Sequence, residues 1–372
     1  MTETKTSREI TDYLRGLGII AVLITHYSGM YNGDFYAHYL SNYGNAFMAI
    51  FFILAGYGAL YSFEKRFAGN LSRFSVITRY FIDRALRIYP LYWVALVFTA
   101  FIEPQYFPVG DMSIVQLVAV AVAFPFVTTP FWFISSIIQC YLFSPFLYLI
   151  LRKIRCRKYI FFNLGLIAAL LLVSQKYMPM VYRFQHLTSI TIPDPTVTLF
   201  RGIFLGNVFL FSLGLMIPDL VRIYGERMKS LVVFFISAFS MLALSYVLRY
   251  DVLILQRDQL LMETGYYSSV FFFCWSTIVV KPALPLGKLV GPLGRYSYSL
   301  YLFHALLFNI LIIVNLFQDW LPESLTIVLV LFVPLFWLCT VSERSARRLR
   351  DKVWEFGSRK FRTESSSEPI IS

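Results

Sequence analysis

The chain has 372 residues, of which 58% are hydrophobic and 18% aromatic, while only 15% are charged. Soluble domains carry about 25% charged residues, so this composition excludes an ordinary soluble globular protein and indicates a polytopic membrane protein. The net charge of +12 does not signal nucleic-acid binding, because Lys and Arg gather in short segments between apolar runs, as in cytoplasmic loops.

In chain order, apolar runs predict spans at roughly 14–31, 44–63, 86–103, 131–151, 159–174, 198–217, 231–248, 265–280, 295–317 and 325–342. An eleventh run, 113–128, is read as re-entrant or interfacial. Counted as a crossing, it would put the basic cluster RKIRCRK (152–158) on the side opposite the other basic segments. With ten crossings, one face holds the N-terminus, loop 64–87, 152–158, 222–229, 281–295 and the tail from Arg344 to Arg362, together 28 of the 33 basic residues. By the positive-inside rule that face is cytoplasmic and both termini lie there. The expected fold is therefore all-α with about ten transmembrane helices. Residues 1–343 form a single transmembrane domain, and 344–372 form a basic cytoplasmic tail, disordered at its end.

The segment following the first apolar run carries no small-residue cleavage signal, so the first helix is read as retained. Cys140, Cys156, Cys274 and Cys339 show neither CxxC nor Cys/His spacing, and predict no disulfide framework and no metal site. The outer segments 32–43 and 175–197 are rich in aromatic and polar residues. Such residues suit sugar rings and equally describe an interfacial belt. No repeat of 20–50 residues and no inverted half-to-half symmetry stands out, which argues against many transporter architectures.

Four stretches carry groups capable of chemistry. In DYLRGLGIIAVLITH, Arg15 and His26 stand eleven residues apart. Eleven helical steps make three turns plus about 20°, so both project from one face, separated axially by about 16 Å. Arg15 then sits at a membrane surface and His26 near mid-membrane, where an ionisable group is costly and a functional candidate. The alternative is a histidine that donates one hydrogen bond as packing glue. A neutral imidazole there suits general-base removal of a hydroxyl proton.

In RYFIDRALRIYP, Arg84 and Arg87 stand at i, i+3 at the start of the third span, with Arg79 before them and Pro90 marking a kink or late helix start. Two guanidiniums on one face form a phosphate fork or simply anchor the helix. In PFWFISSIIQCYLFSP, Trp132, Gln139 and Tyr141 bring polar groups into an apolar span, and Trp132 and Gln139, seven apart, can share a face. Gln139 is either interhelical glue or a substrate contact. In GRYSYSLYLFH, His304 follows Arg295 by nine residues, about 13.5 Å of helix, placing a second histidine near mid-membrane. Two buried histidines on separate helices suggest a shared polar cavity.

Taken together, Arg15-x10-His26, FFILAG (51–56), Arg84-x-x-Arg87 with Tyr89-Pro90, Trp132…Gln139-x-Tyr141…Pro145 and SYSLYLFH resemble, in order, the acyltransferase-3 family of integral membrane acyltransferases, over about residues 10–310. The resemblance implies ten core helices and transfer of an acyl group, usually acetyl from acetyl-CoA, to a carbohydrate hydroxyl. Typical acceptors are bacterial surface or secreted glycans. It also implies that Arg15 and His26 are essential and that the Arg84–Arg87 segment matters for the donor. Two positions depart from the family pattern. Ile137 stands where many members have an acidic residue, and Ala55 replaces the serine of FFxLSG. At 372 residues there is no room for the extra periplasmic hydrolase-like domain of some members.

Residues and resemblance together assign His26 and Arg15 to catalysis and Arg84, Arg87 and Tyr89 to the donor. Trp132, Gln139, Tyr141, Tyr301 and His304 are assigned to the acceptor. The expectation is an acyl-CoA-dependent O-acetyltransferase of the bacterial inner membrane, with acyl-CoA as donor substrate and no tightly bound cofactor or metal. Its partners are a glycan or lipid-linked sugar and membrane lipids, with no nucleic acid. Direct transfer and an acyl-His26 intermediate are both open. The competing reading is a transporter or flippase that exports a glycan or its lipid-linked precursor.

Overall fold

The computed structural model describes residues 5–30, 43–68, 72–102, 113–123, 131–153, 169, 207–225, 230–250, 259–280, 286–313 and 321–365, which form helices and their caps with no strand among them. In chain order the helices are α1 (Lys5–Met30), α2 (Tyr43–Phe67), α3 (Arg73–Ile102), α4 (Ile114–Ala121), α5 (Trp132–Lys153), α6 (Val208–Tyr224), α7 (Leu231–Tyr250), α8 (Gln259–Val280), α9 (Gly287–Arg295), α10 (Ser297–Ile313) and α11 (Leu321–Ser365). Among the described residues, three segments are long and apolar enough to cross a membrane: Phe47–Phe67, Arg73–Ile102 and Trp132–Ile150. The expected span 159–174 lies outside the described residues except for residue 169.

The helices are longer than their apolar cores. α1 begins at Lys5, so Arg15 sits well inside it. The segment expected as a basic loop, 64–87, is mostly helix, because α2 runs to Phe67 and α3 starts at Arg73. Hydropathy sees only the apolar part of α3. The polar beginning is held helical by an amphipathic face, on which Val76 and Tyr80, four residues apart, are fully buried. Pro90 lies inside a continuous helix and does not start one. The expected span 295–317 is divided at Tyr296 into α9 and α10. The proposed boundary at 343/344 falls inside α11, which continues without interruption to Ser365.

The described part of 113–128 is α4, eight residues or about 12 Å, too short to cross a bilayer. Its N-terminus carries a Ser113–Gln116 capping box. Its last carbonyls, which have no partner within the helix, receive donors from α3. Tyr92 Oη donates to Val120 O (2.6 Å), Trp93 Nε1 to Ala121 O (2.8 Å) and Tyr89 Oη to Val122 O (3.2 Å).

Close approach between helices is set by glycine. A Cβ at Gly16 would strike the carbonyl oxygen of Val290, and one at Gly294 that of Asp12, so α1 and α9 meet backbone to backbone. Gly56 and Gly214 do the same for α2 and α6, against Phe211 and Ile53. Large apolar side chains such as Phe101, Phe146, Phe239 and Trp337 point outward, as expected for a surface solvated by lipid.

Candidate active site

The seam fixed by Gly16 and Gly294 brings the arginine end of α1 against α9, α10 and α3. A cavity of about 310 Å³ opens there. Four arginines line it, Arg8 and Arg15 from α1 and Arg84 and Arg87 from α3, with Asp12 as the carboxylate of the wall. Its apolar side is built by Phe133, Ile137 and Tyr141 of α5, by Phe51, Leu54 and Ala55 of α2 and by Tyr298 and Tyr301 of α10. The three α5 residues recur every four positions and so share one helix face.

Arg84 and Arg15 are held in different ways. Arg84 lies between two tyrosine rings, its guanidinium carbon 5.0 Å from the Tyr80 centroid and 4.7 Å from that of Tyr141. Ring faces attract and orient a guanidinium without cancelling its charge. Its buried Nε has no hydrogen-bond partner among the described residues. Tyr80 is itself fixed by Ser144, whose Oγ lies 2.9 Å from its hydroxyl. Asp12 is shared between Arg15, which donates to it at 3.2 Å, and Arg295 at 3.7 Å. Arg66 is paired with Asp83. Tyr298 Oη donates to Ile88 O at 2.7 Å, tying α10 to α3 beside Arg87.

The two histidines stand together beyond the far wall of this cavity. The His26 and His304 ring centroids are 4.6 Å apart at an interplanar angle of 71°. Tyr301, which lines the cavity, links the two zones, with its ring 5.1 Å from Phe133 and 5.6 Å from His304. His26 Nδ1 is 2.9 Å from Val22 O, and His304 Nδ1 is 2.6 Å from Tyr301 O. A carbonyl only accepts, so Nδ1–H donates in both rings, and each neutral imidazole keeps its lone pair on Nε2. His304 is buried with its Nε2 unpartnered among the described residues, whereas His26 is exposed. The arrangement places two proton-accepting nitrogens close together, one of them open to an incoming group.

Of the residues expected at a site, Arg15, Arg84, Arg87, Tyr141 and Tyr301 line the cavity, and His26 and His304 form the pair beyond it. Arg15 shares a cavity with Tyr298 and Tyr301 of α10 and His26 contacts His304 of the same helix, consistent with the common face that their eleven-residue spacing predicts. Three expected residues lie elsewhere. Tyr89 caps α4 and is absent from the cavity wall. Gln139 bonds its own helix, donating to Ser135 O at 3.0 Å. Trp132 and Gln139 are off the cavity wall, because the lining positions of α5, 133, 137 and 141, lie about 100° or more around the helix from both.

Asp12, Phe133 and Tyr298 were not among the expected site residues. Counting back from Tyr141 by fours would have found the α5 face, and the i, i+3 spacing of Asp12 and Arg15 marks the ion pair. The two positions that depart from the family pattern, Ala55 and Ile137, both line the cavity.

Compared with known proteins, residues 9–344 match the acyltransferase domain of the acyltransferase-3 family. No curated protein and no solved structure matches the chain. The match runs from Glu9 in α1 to Arg344 within α11 and includes both histidines and every cavity residue described above except Arg8. The chain therefore belongs to the acyltransferase-3 family and is a membrane acyltransferase.

Proposed function

We propose that this membrane acyltransferase moves an acyl group, acetyl foremost, from acyl-CoA to a hydroxyl of a cell-surface or exported glycan. The observation that carries the reading is the order of groups along α1 and α10. An arginine-lined cavity comes first, then the wall at Tyr301 and Phe133, then the His26–His304 pair. A donor with a polyanionic head and a long thioester arm matches that order. Membership of an acyltransferase family does not favour the export reading.

In this mechanism the enzyme lies in a bacterial inner membrane with about ten spans, both termini and the arginine end facing the cytoplasm. The donor phosphates sit at Arg84, Arg87 and Arg15, as charge-assisted, bidentate contacts. The acylated arm runs along the apolar wall and passes Tyr301 and Phe133 to reach the histidines. The sugar hydroxyl approaches the exposed face of His26. His26 Nε2 takes the hydroxyl proton, the oxygen attacks the thioester carbonyl carbon, and the C–S bond breaks. The CoA thiolate then takes the proton from the imidazolium, so the ring returns to its neutral form. His304 packs edge-on against the His26 ring and holds it in place for the transfer. No metal or resident cofactor takes part.

The reading is tested by mass spectrometry of surface glycans from wild-type cells and cells lacking the gene. The expected result is an intact polymer that has lost an ester group. Loss of the whole polymer would contradict acyl transfer and support export.

A further inference from the structure

A second cavity, about 270 Å³, lies against the first and shares Asp12, Arg15 and Arg87 with it. Its other walls come from α9 and from α11, which supplies Glu343, Arg347 and Arg350. Five guanidiniums from four helices, those of Arg15, Arg87, Arg295, Arg347 and Arg350, thus face two carboxylates. The carboxylates do not absorb this charge. Asp12 is already divided between Arg15 and Arg295, and Glu343 meets Arg347 only at 3.6 Å. Arg350 also pairs with the exposed Asp351, outside the cavity wall, at 3.3 Å, so three carboxylates meet five guanidiniums. The side chains of Arg295 and Arg347 are 56% and 45% exposed, open to a ligand rather than sealed into structural bridges. Arg347 is further steadied over the Tyr296 ring, 6.0 Å from its centroid.

A concave site with this excess of guanidinium groups suits a phosphate, whose oxygens accept their paired N–H donors. Building on the proposed function, we infer that this second cavity binds a phosphate monoester, the 3′-phosphate of the CoA donor, while the first cavity takes the diphosphate and the arm. The shared wall of Arg15 and Arg87 stands between the two anions and serves both. On this reading the basic end of α11 belongs to the donor site. It reads the one phosphate that distinguishes CoA from 3′-dephospho-CoA. An anionic lipid headgroup presents the same phosphate chemistry, and the experiment separates the two sources.

The full-length protein is placed in phosphatidylcholine nanodiscs, and labelled acetyl-CoA is displaced with CoA or with 3′-dephospho-CoA. Wild type is expected to bind CoA at least about tenfold more tightly, the effect of one charge-assisted hydrogen bond. In Arg347→Gln/Arg350→Gln the preference is expected to collapse, while affinity for 3′-dephospho-CoA stays at the wild-type value and shows that the fold is intact. Equal affinities in wild type, or a preference that survives in the double variant, would overturn the inference. Should the double variant bind neither nucleotide, Arg295→Gln decides by the same criterion. Saturable binding of phosphatidic acid that depends on Arg347 and Arg350, with no change in nucleotide preference, would assign the cavity to lipid and overturn it too. If neither nucleotide displaces the label from wild type, the acyl-CoA reading falls together with this one, whereas equal displacement removes only the second site.

Discussion

The two ends of the candidate site are built on opposite principles. At the arginine end, charge is abundant and distributed. Guanidiniums from α1, α3, α9 and α11 crowd two adjoining cavities, held by ring faces and shared carboxylates. Removing any one leaves several others within the same walls. At the histidine end each group is single. Two imidazoles touch, and each is oriented by a carbonyl of its own helix rather than by a carboxylate. The first arrangement suits holding a polyanion, where contributions add and losses are gradual. The second suits a proton transfer, where loss of one nitrogen removes the step. Substitutions at the two ends should therefore differ in kind, with rate failing at one and affinity at the other.

The largest expected effect follows from His26→Ala. Loss of a general base costs about 10²–10⁴ in turnover, and the comparison requires this to appear in kcat with the KM for acetyl-CoA unchanged. Steady-state transfer of labelled acetyl groups in membranes checks it. A smaller loss, about tenfold in kcat, is expected for His304→Gln, since the amide fills part of the same space but lacks the ring that packs edge-on against His26 and holds it in place. The same assay, read across acceptor concentrations, should show the change in kcat rather than in donor KM. At the opposite end, Arg84→Gln should raise the KM for acetyl-CoA about tenfold and leave kcat within a factor of a few, because neighbouring arginines keep part of the phosphate contact. An Arg84 variant that lost turnover without losing affinity would break the division between the ends. The smallest effect belongs to Tyr89→Phe, which touches neither end. It removes the bond to Val122 O and should cost at most about 1 kcal/mol of stability, measured as a small fall in Tm, with donor KM unchanged.

Much of this organisation is legible in the chain itself, for physical reasons that differ by element. The face shared by Arg15 and His26 follows from helical periodicity alone, whereas its neighbour, α10, is set by how the helices pack. The pairing of His26 with His304 is suggested by two costly groups at similar depth, but their 4.6 Å contact depends on how α1 and α10 pack. Element limits are less legible. Hydropathy marks the apolar part of α3 and misses its beginning at Arg73, because a basic, amphipathic turn looks like a loop until its buried face has a partner. The roles of α5 residues are least legible. Trp132 and Gln139 are the chemically conspicuous groups, yet the cavity takes Phe133, Ile137 and Tyr141. Which stripe of an apolar helix faces inward is decided by its neighbours. Tyr89 shows the same effect, since only the fold reveals the carbonyls of α4 that need its hydroxyl. Arg347 and Arg350 read from composition as a solvated tail, and only the continuous α11 carries them to a cavity wall.

The central claim, that donor binding and chemistry reside at separate ends, is tested most directly by measuring two quantities on the same membranes. Labelled acetyl-CoA binding and label transfer to glycan are compared in wild type, His26→Ala and Arg84→Gln/Arg87→Gln. The account predicts that His26→Ala binds the donor as wild type does and transfers almost nothing. The double arginine variant should bind poorly at low donor and recover transfer as donor is raised. Full transfer by His26→Ala, or unchanged donor affinity in the arginine variant, would contradict it.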